Sequence, residues 1–241
     1  QLKDHPTPEQ MFNDKYPFVY QYTARQFLDQ ALNTRSDSLS NFNRKIAGKY
    51  KAGLGLRYLA DYIGDTIISS SFKEFYKKNK LNFAKSESFK KIVSKKTSKD
   101  INWFFDEYLT TDKKIDYTIK KAVVLNDSVY VTIKNKRNIT APVALYGLKK
   151  KQVKFKKWLT NIDSTTTVAI PKNGFDRVSL NFENSYPEFN SMDNWKKVGK
   201  NILNKPIQFK LYKDINDPYY HQIYLQPNIK YNYYDGALLG L

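Results

Sequence analysis

The sequence predicts a mixed α+β protein in which antiparallel helices come first and an antiparallel β-sandwich follows. Two observations support this: apolar residues recur every three or four positions up to Thr111, and every second position beyond it. The later segments are separated by turn residues rather than helices, which favours an immunoglobulin-like sandwich over a parallel sheet. We therefore expect a helical subdomain over 1–112, a sandwich domain over 113–213 and a strand-rich tail over 214–241.

The helical part is predicted from apolar periodicity and from residues that start or stop helices. Pro17 suits a helix start, Gly64 a helix stop, and Ser98 an N-cap. The predicted helices are 17–33, 47–63, 65–80, 86–97 and 98–111. Their expected buried residues are Phe18, Tyr22, Leu28 and Leu32; Leu56, Leu59, Ala60 and Ile63; Ile68, Phe72, Phe75 and Tyr76; Phe89, Ile92 and Val93; and Ile101, Trp103, Phe104, Phe105, Tyr108 and Leu109.

The strands are predicted from two-residue alternation, as in Val129, Val131 and Ile133. The predicted strands are 114–125, 128–137, 142–148, 153–159, 165–170, 176–182 and 206–213. The tail also alternates, through Ile229, Tyr231 and Tyr233 and then Ala237, Leu239 and Leu241. Two readings of this tail remain open: a last strand or loose end of the sandwich, or the start of a membrane-embedded or partner-paired sheet.

Composition limits the chemistry. The chain of 241 residues carries a net charge of +18, which favours anionic partners, but its lysines are dispersed and do not indicate a specific nucleic-acid face. It has no cysteine, and its two histidines, His5 and His221, lie far apart without a His-Glu-x-x-His motif. The acidic pairs Asp61/Asp65 and Asp106/Glu107 are expected to be solvated. No complete catalytic or metal-binding constellation is therefore expected in this chain.

The segment "GKYKAGLGLRYL", residues 48–59, has three glycines within a predicted helix. Each interior glycine costs about 0.5–1 kcal/mol relative to alanine, so a neighbouring group is expected to need the space. Tyr50 lies beside two of these glycines. It is either an aromatic residue that packs at the helix start or part of an active site.

Two segments in this order resemble the aminopeptidase N family of gluzincin zinc metallopeptidases: "KYKAGLGLRYLADYIGDTIISSSFKEFYKKNK" and then "DINWFFDEYL". In that family a Tyr-x-Lys-Gly element starts a helix, a Leu-Gly-Asp-type turn follows, and a Trp-Phe-Phe-Asp helix leads into a β-sandwich. The resemblance covers about residues 17–180. It implies that Tyr50 is catalytic, donating its hydroxyl to the oxyanion of the scissile carbonyl, and that Gly53 is the family glycine of the substrate cleft. Ala52 stands where the family has lysine.

The resemblance also implies what lies outside the chain. The family's zinc ligands precede this region, so we expect a longer parent with zinc and a peptide substrate in a segment before Gln1, and no cofactor in this chain. The alternation of the tail, rather than the resemblance, is the basis for a possible protein partner or membrane-embedded domain after Leu241, which would favour an exported, periplasmic or outer-membrane protein. Two alternatives stay open: a catalytically silent scaffold, and binding of anionic polymers or lipid head groups by the lysine-rich stretch from Lys149 to Trp158.

Overall fold

Helices precede strands along the chain, which confirms the predicted α+β class. The computed structural model describes residues 8–150, 152–199, 205–211, 217, 219–225, 228–234 and 236–240. The helical part consists of α1 (Pro8–Arg25), a π-helical segment (Asn43–Ala47) that continues into α2 (Gly48–Ile63), α3 (Asp65–Asn79), α4 (Ser86–Ser94) and a second π-helical segment (Trp103–Tyr108).

The first helix differs from its prediction in both position and buried face. It begins at Pro8 and ends at Arg25, so Pro17 lies inside it rather than at its start. Phe18, Tyr22 and Leu28, predicted to be buried, are exposed, and the core instead receives Tyr20 and Ala24. These two residues pack with Leu54 of α2. The neighbouring helix therefore decides which face of α1 is buried.

The boundary between α2 and α3 is where the sequence places it. Gly64 adopts φ = 112°, a conformation that favours glycine, and its N–H donates to the carbonyl of Ala60 at 2.7 Å. The next helix starts at Asp65. A single glycine thus ends one helix and turns the chain directly into the next.

The buried faces of α2 and α3 are only partly those predicted. In α2 the buried side chains are Lys51, Leu54, Tyr58, Leu59, Tyr62 and Ile63, while Leu56 and Ala60 are only half-buried. In α3, Ile68 is buried as predicted, but Phe72 and Tyr76 are exposed. In α4 the predicted Phe89, Ile92 and Val93 are all buried.

The aromatic segment "WFFDEY" is a π-helical turn rather than the predicted α-helix over 98–111. Ser98 does not cap it; instead, the carboxylate of Asp100 accepts the N–H of Asn102 at 2.9 Å. The wider π turn directs several consecutive aromatic side chains inward, and Trp103 and Phe104 are both almost fully buried. Their predicted role as core residues is confirmed.

Each predicted strand segment contains a strand, and further short strands occur. The strands are β1 (Tyr117–Leu125), β2 (Ser128–Asn135), β3 (Val143–Lys149), β4 (Gln152–Leu159), β5 (Thr165–Pro171), β6 (Arg177–Leu180), β7 (Trp195–Lys197), β8 (Ile207–Lys210), β9 (His221–Tyr224), β10 (Asn228–Asn232) and β11 (Gly236–Gly240). One antiparallel sheet has the order β1-β2-β5, and another the order β4-β3-β6-β7. The pair β10–β11 is antiparallel, whereas β8–β9 is parallel.

The two larger sheets and the helices share one buried cluster. Val131 of β2 pairs with Ala122 of β1 and Val168 of β5, and it is fully buried together with Leu145 of β3. The same cluster includes Tyr58 of α2. The cluster contains residues from both sides of residue 112, so burial alone does not separate two domains there. The predicted domain boundary stays a prediction.

The tail forms strands, as the alternation indicates. Ile229 and Tyr231 of β10 and Tyr233 of the following turn are exposed, and Leu241 lies outside the described residues. A membrane-embedded or partner-paired sheet in this region stays a prediction. None of the described helices is both long and apolar enough to cross a membrane.

Glu188 is a buried carboxyl group of the sandwich. Glu188 accepts the N–H of Tyr117 at 3.1 Å and the side-chain amides of Asn194 at 2.5 Å and Asn181 at 3.4 Å. Burial raises the pKa of Glu188 to about 8. Among the described residues, the amide oxygen of Asn194 has no partner. Turning that amide by a half-rotation would let it accept the proton of a neutral Glu188.

This raised pKa predicts a pH-dependent stability. Between about 4.5 and about 8 the folded protein holds a proton on Glu188 that the unfolded chain releases, so the free energy of unfolding falls as the pH rises. The slope reaches about 1.4 kcal/mol per pH unit. Urea denaturation at several pH values should show this slope for the wild type and a flatter one for Glu188→Gln. The exposed Glu87→Gln variant is the control, and an equal slope in all three proteins would contradict the assignment.

The burial of the aromatic side chains in the second π-helical segment predicts that Phe104→Ala destabilises the protein far more than Phe83→Ala does. Phe104→Ala should lower the free energy of unfolding by roughly 3–5 kcal/mol, because the side chain is almost fully buried and leaves a cavity. Phe83→Ala removes the same atoms from a fully exposed position and should change it by less than about 0.5 kcal/mol. Chemical denaturation of both variants checks this, and a loss below about 1 kcal/mol for Phe104→Ala would mean that this ring does not support the core.

Candidate functional site

The candidate site lies at the start of α2, where the structure places Tyr50 and Gly53 three residues apart on the same side of the helix. Both residues are half-buried. The ring of Tyr50 lies against Tyr16 of α1, with 4.6 Å between ring centroids and 57° between ring planes. Packing against Tyr16 supports one side of the ring, and the other side is partly open to solvent.

The helix start is anchored by a buried charged cluster that the sequence did not reveal. The ammonium nitrogen of Lys51 lies 3.3 Å from one carboxylate oxygen of Asp29, and that of Lys114 lies 2.7 Å from the other. All three side chains are almost fully buried. Lys51 also donates to the carbonyls of Gln30 at 3.2 Å and Thr111 at 3.4 Å. The cluster thus joins α2 to the loop after α1 and to the linker before β1.

Burial lowers the pKa of Lys51, and the nearby carboxylate of Asp29 opposes this effect. The single carboxylate of Asp29 faces two ammonium groups, so one positive charge is left over. The carbonyl oxygens that accept hydrogen bonds from Lys51 help to stabilise it. Sequence reasoning missed Lys51 although a signal was present: it lies at helical spacing from Leu54, Tyr58 and Tyr62, within the buried stripe. A lysine within a buried apolar stripe indicates that a carboxylate or another acceptor is buried beside it, because lysine is almost never fully buried unless it is paired.

The glycines of α2 are explained in part by the second π-helical segment. A Cβ atom on Gly55 would lie 2.2 Å from the ring of Tyr108, which is fully buried. The hydroxyl of Tyr108 donates to the carbonyl of Lys51 at 2.6 Å. Gly55 therefore lets this ring lie directly on the helix backbone, one turn from Tyr50. A Cβ on Gly48 would likewise lie 2.8 Å from the carbonyl oxygen of Asn43.

The other sequence candidates do not join this site. Asp61 lies 3.0 Å from Lys156, and Asp106 and Glu107 lie 2.7 and 3.0 Å from Lys90 and Lys113, so each carboxylate is held in an ion pair. Asp61 and Asp65 line an open polar depression of about 560 Å³. His221 is exposed on β9, and His5 lies outside the described residues. Within the described part of the chain, no group of three or more His, Cys, Asp or Glu residues could hold a metal ion.

The lysine-rich stretch from Lys149 to Trp158 includes all of β4 except its last residue, and β4 is an edge strand of its sheet. Most of its side chains are exposed, as expected for a strand whose charges prevent pairing with other chains. Lys156 has a structural role, because its ammonium group lies 2.8 Å from Glu183 as well as 3.0 Å from Asp61 of α2. Binding of anionic polymers or lipid by this strand stays a prediction.

Comparison with solved structures shows an aminopeptidase-like fold. Over 59% of the chain the structure is similar to Legionella pneumophila aminopeptidase A, solved in complex with aspartic acid, with a TM-score of 0.50 and 19% sequence identity. The similar region covers 17% of that protein. No protein-family model and no curated protein sequence matches the chain. At this identity the similarity establishes the fold alone and no activity.

The close contact between Gly55 and Tyr108 predicts that alanine at position 55 lowers the free energy of unfolding, whereas helix propensity alone predicts that alanine raises it. Gly55→Ala should lower the free energy of unfolding by roughly 1–3 kcal/mol, because the added methyl group overlaps the Tyr108 ring. Propensity alone would raise it by about 0.5–1 kcal/mol. Denaturant titration distinguishes the two signs. Combining Gly55→Ala with Tyr108→Leu should cost less than the sum of the two single substitutions, and strict additivity would show that the two residues do not interact.

Proposed function

We propose that this chain is a portion of an aminopeptidase N-like, gluzincin zinc metallopeptidase that hydrolyses peptides. The observation that carries the proposal is the aminopeptidase-like fold, in which helices pack onto a β-rich region. The order of the segments "KYKAGLGLRYL" and "INWFFDEYL" along the chain supports it. The described residues offer no set of ligands for zinc, so its ligands would come from another part of the protein, which would also hold the peptide.

In this proposal Tyr50 supplies a hydrogen bond to the reacting carbonyl. A phenol hydroxyl fixed beside the scissile bond stabilises negative charge on the carbonyl oxygen as the bond is attacked. The position of Tyr50 suits this role because its ring is supported by Tyr16 and is partly open to solvent. The neighbouring Lys51 is held by Asp29 and by two carbonyls, which restricts movement of the helix start. Gly53, on the same side of α2, would let the substrate approach the backbone.

A catalytically silent scaffold or binding subunit of a larger, outer-membrane assembly is the second candidate. The observation that favours it is the β10–β11 hairpin, on which Ile229 and Tyr231 are about three-quarters exposed and Tyr233 lies at the turn. Such an exposed apolar hairpin suits pairing with another protein or with a membrane-embedded domain. In this candidate the aminopeptidase-like fold would present surfaces for assembly rather than a reaction site.

The proposal predicts that the hydroxyl group of Tyr50 is needed for the rate of peptide hydrolysis. In the full-length gene product, Tyr50→Phe should lower kcat for an aminoacyl substrate by about 100- to 1000-fold with little change in KM, because the hydroxyl acts on the transition state. Thermal unfolding should be unchanged. Tyr130→Phe on β2 removes a hydroxyl from an exposed ring on the sandwich and should leave kcat unaltered.

The outcomes separate the two candidates. Zinc in the purified full-length protein, together with a kcat that depends on the Tyr50 hydroxyl, supports the peptidase. Zinc and activity with an unaltered Tyr50→Phe variant would reduce Tyr50 to a residue that packs on Tyr16. A full-length protein with neither zinc nor peptide hydrolysis would reject the peptidase in favour of the scaffold.

A further inference from the structure

The end of α3 and the turn that leads to α4 expose large apolar side chains. This segment, residues 76–85, is called the α3–α4 tip below. Phe83 is fully exposed, Leu81 is 88% exposed and Tyr76 is 70% exposed. Single exposed apolar residues are ordinary on protein surfaces, but these three lie within eight residues, at the end of α3 and in the turn that follows it, and form an exposed apolar patch.

Lysines surround these apolar side chains. Between residues 76 and 85 the chain has Lys77, Lys78, Lys80 and Lys85 and no acidic residue. Two acidic residues flank the tip, each two residues outside it: Glu87, exposed in the first turn of α4, and Glu74, which is engaged by Lys78 at 2.6 Å and Lys96 at 3.0 Å. Those two hydrogen bonds lower the pKa of Glu74 to about 2, so it remains charged and paired. The tip therefore presents excess positive charge on both sides of Leu81 and Phe83.

The basic surface continues beyond the tip. Residues 73–99 contain ten lysines and two acidic residues, which gives 10 − 2 = +8 of the net charge of +18 in only 27 residues. Lys90 and Lys96 of this segment pair with Asp106 and Glu74. This concentration of charge disfavours contact with a second copy of the chain and favours an anionic partner.

We propose that the α3–α4 tip binds the surface of an anionic lipid bilayer, with Leu81 and Phe83 inserted among the head groups and the lysines beside the phosphates. Charge complementarity favours an anionic partner. Exposure favours lipid, because side chains as exposed as Leu81 and Phe83 can enter a deformable interface without a matching pocket. Lysine stems reach sideways while their ammonium groups stay hydrated. This inference is independent of the proposed peptidase activity, because it uses none of the residues around Tyr50.

Vesicle sedimentation tests the proposal with the intact protein. Binding to vesicles of phosphatidylcholine and phosphatidylglycerol should exceed binding to phosphatidylcholine alone and should weaken as salt is added. Lys77→Gln/Lys80→Gln/Lys85→Gln should reduce affinity by about fivefold per lysine, or about 100-fold in total. Leu81→Ser/Phe83→Ser should reduce affinity by about tenfold, because less apolar surface leaves water on binding. Phe83→Trp should retain affinity, since tryptophan favours the membrane interface.

Matched variants on the sandwich separate the tip from the overall charge. Lys120→Gln/Lys121→Gln/Lys134→Gln removes the same charge from exposed positions on β1 and β2, and Val123→Ser/Leu125→Ser removes exposed apolar groups from β1. Both should bind nearly as the wild type does. Equal losses in the tip and sandwich variants would replace the proposal with diffuse attraction by net charge. Absence of binding to either vesicle would reject lipid and leave an acidic protein as the partner.

Discussion

The burial of Tyr58 joins the two halves of the molecule. Its ring lies 4.4 Å from that of Trp103 and 4.7 Å from that of Tyr186, measured between centroids. Its hydroxyl donates to the carbonyl of Pro142, the residue before β3. Trp158 of β4 lies 6.1 Å away on the sandwich side. Aromatic rings supply large apolar area, and a buried hydroxyl needs a partner, so this one side chain both fills the interface and fixes its orientation.

Two buried polar groups lie on either side of this junction. Asp29 with Lys51 and Lys114 holds the start of α2, whereas Glu188 ties the segment after β6 to Tyr117 at the start of β1. Burying the charges of Asp29, Lys51 and Lys114, or keeping a proton on Glu188, costs free energy, so neither group is an efficient source of stability. What they provide is position, since their hydrogen bonds join segments that are distant along the chain. The backbone at Tyr50 is held by such an arrangement.

The fold and the candidate site differ in how much the sequence reveals. A tyrosine among glycines is visible as a motif, and the resemblance to aminopeptidases attached a role to Tyr50. The reason for Gly55 became clear only from the ring of Tyr108, which is 53 residues further along the chain. The burial of Lys51 was not predicted, because its partners, Asp29 and the carbonyl of Thr111, come from other elements. Sites built from distant segments leave weak local signals.

The sequence by itself determined where the protein changes from helices to strands, where Gly64 ends a helix, and where most strands lie. These features depend on local chemistry: the period of apolar residues, the freedom of glycine and the turn at Asn126 and Asp127. Tertiary structure decided which face of α1 and α2 is buried, that Phe72 and Tyr76 are exposed, and that "WFFDEY" forms a π turn. The physical reason is that burial depends on which neighbour covers a face, and several faces of these aromatic-rich helices are apolar enough to be covered.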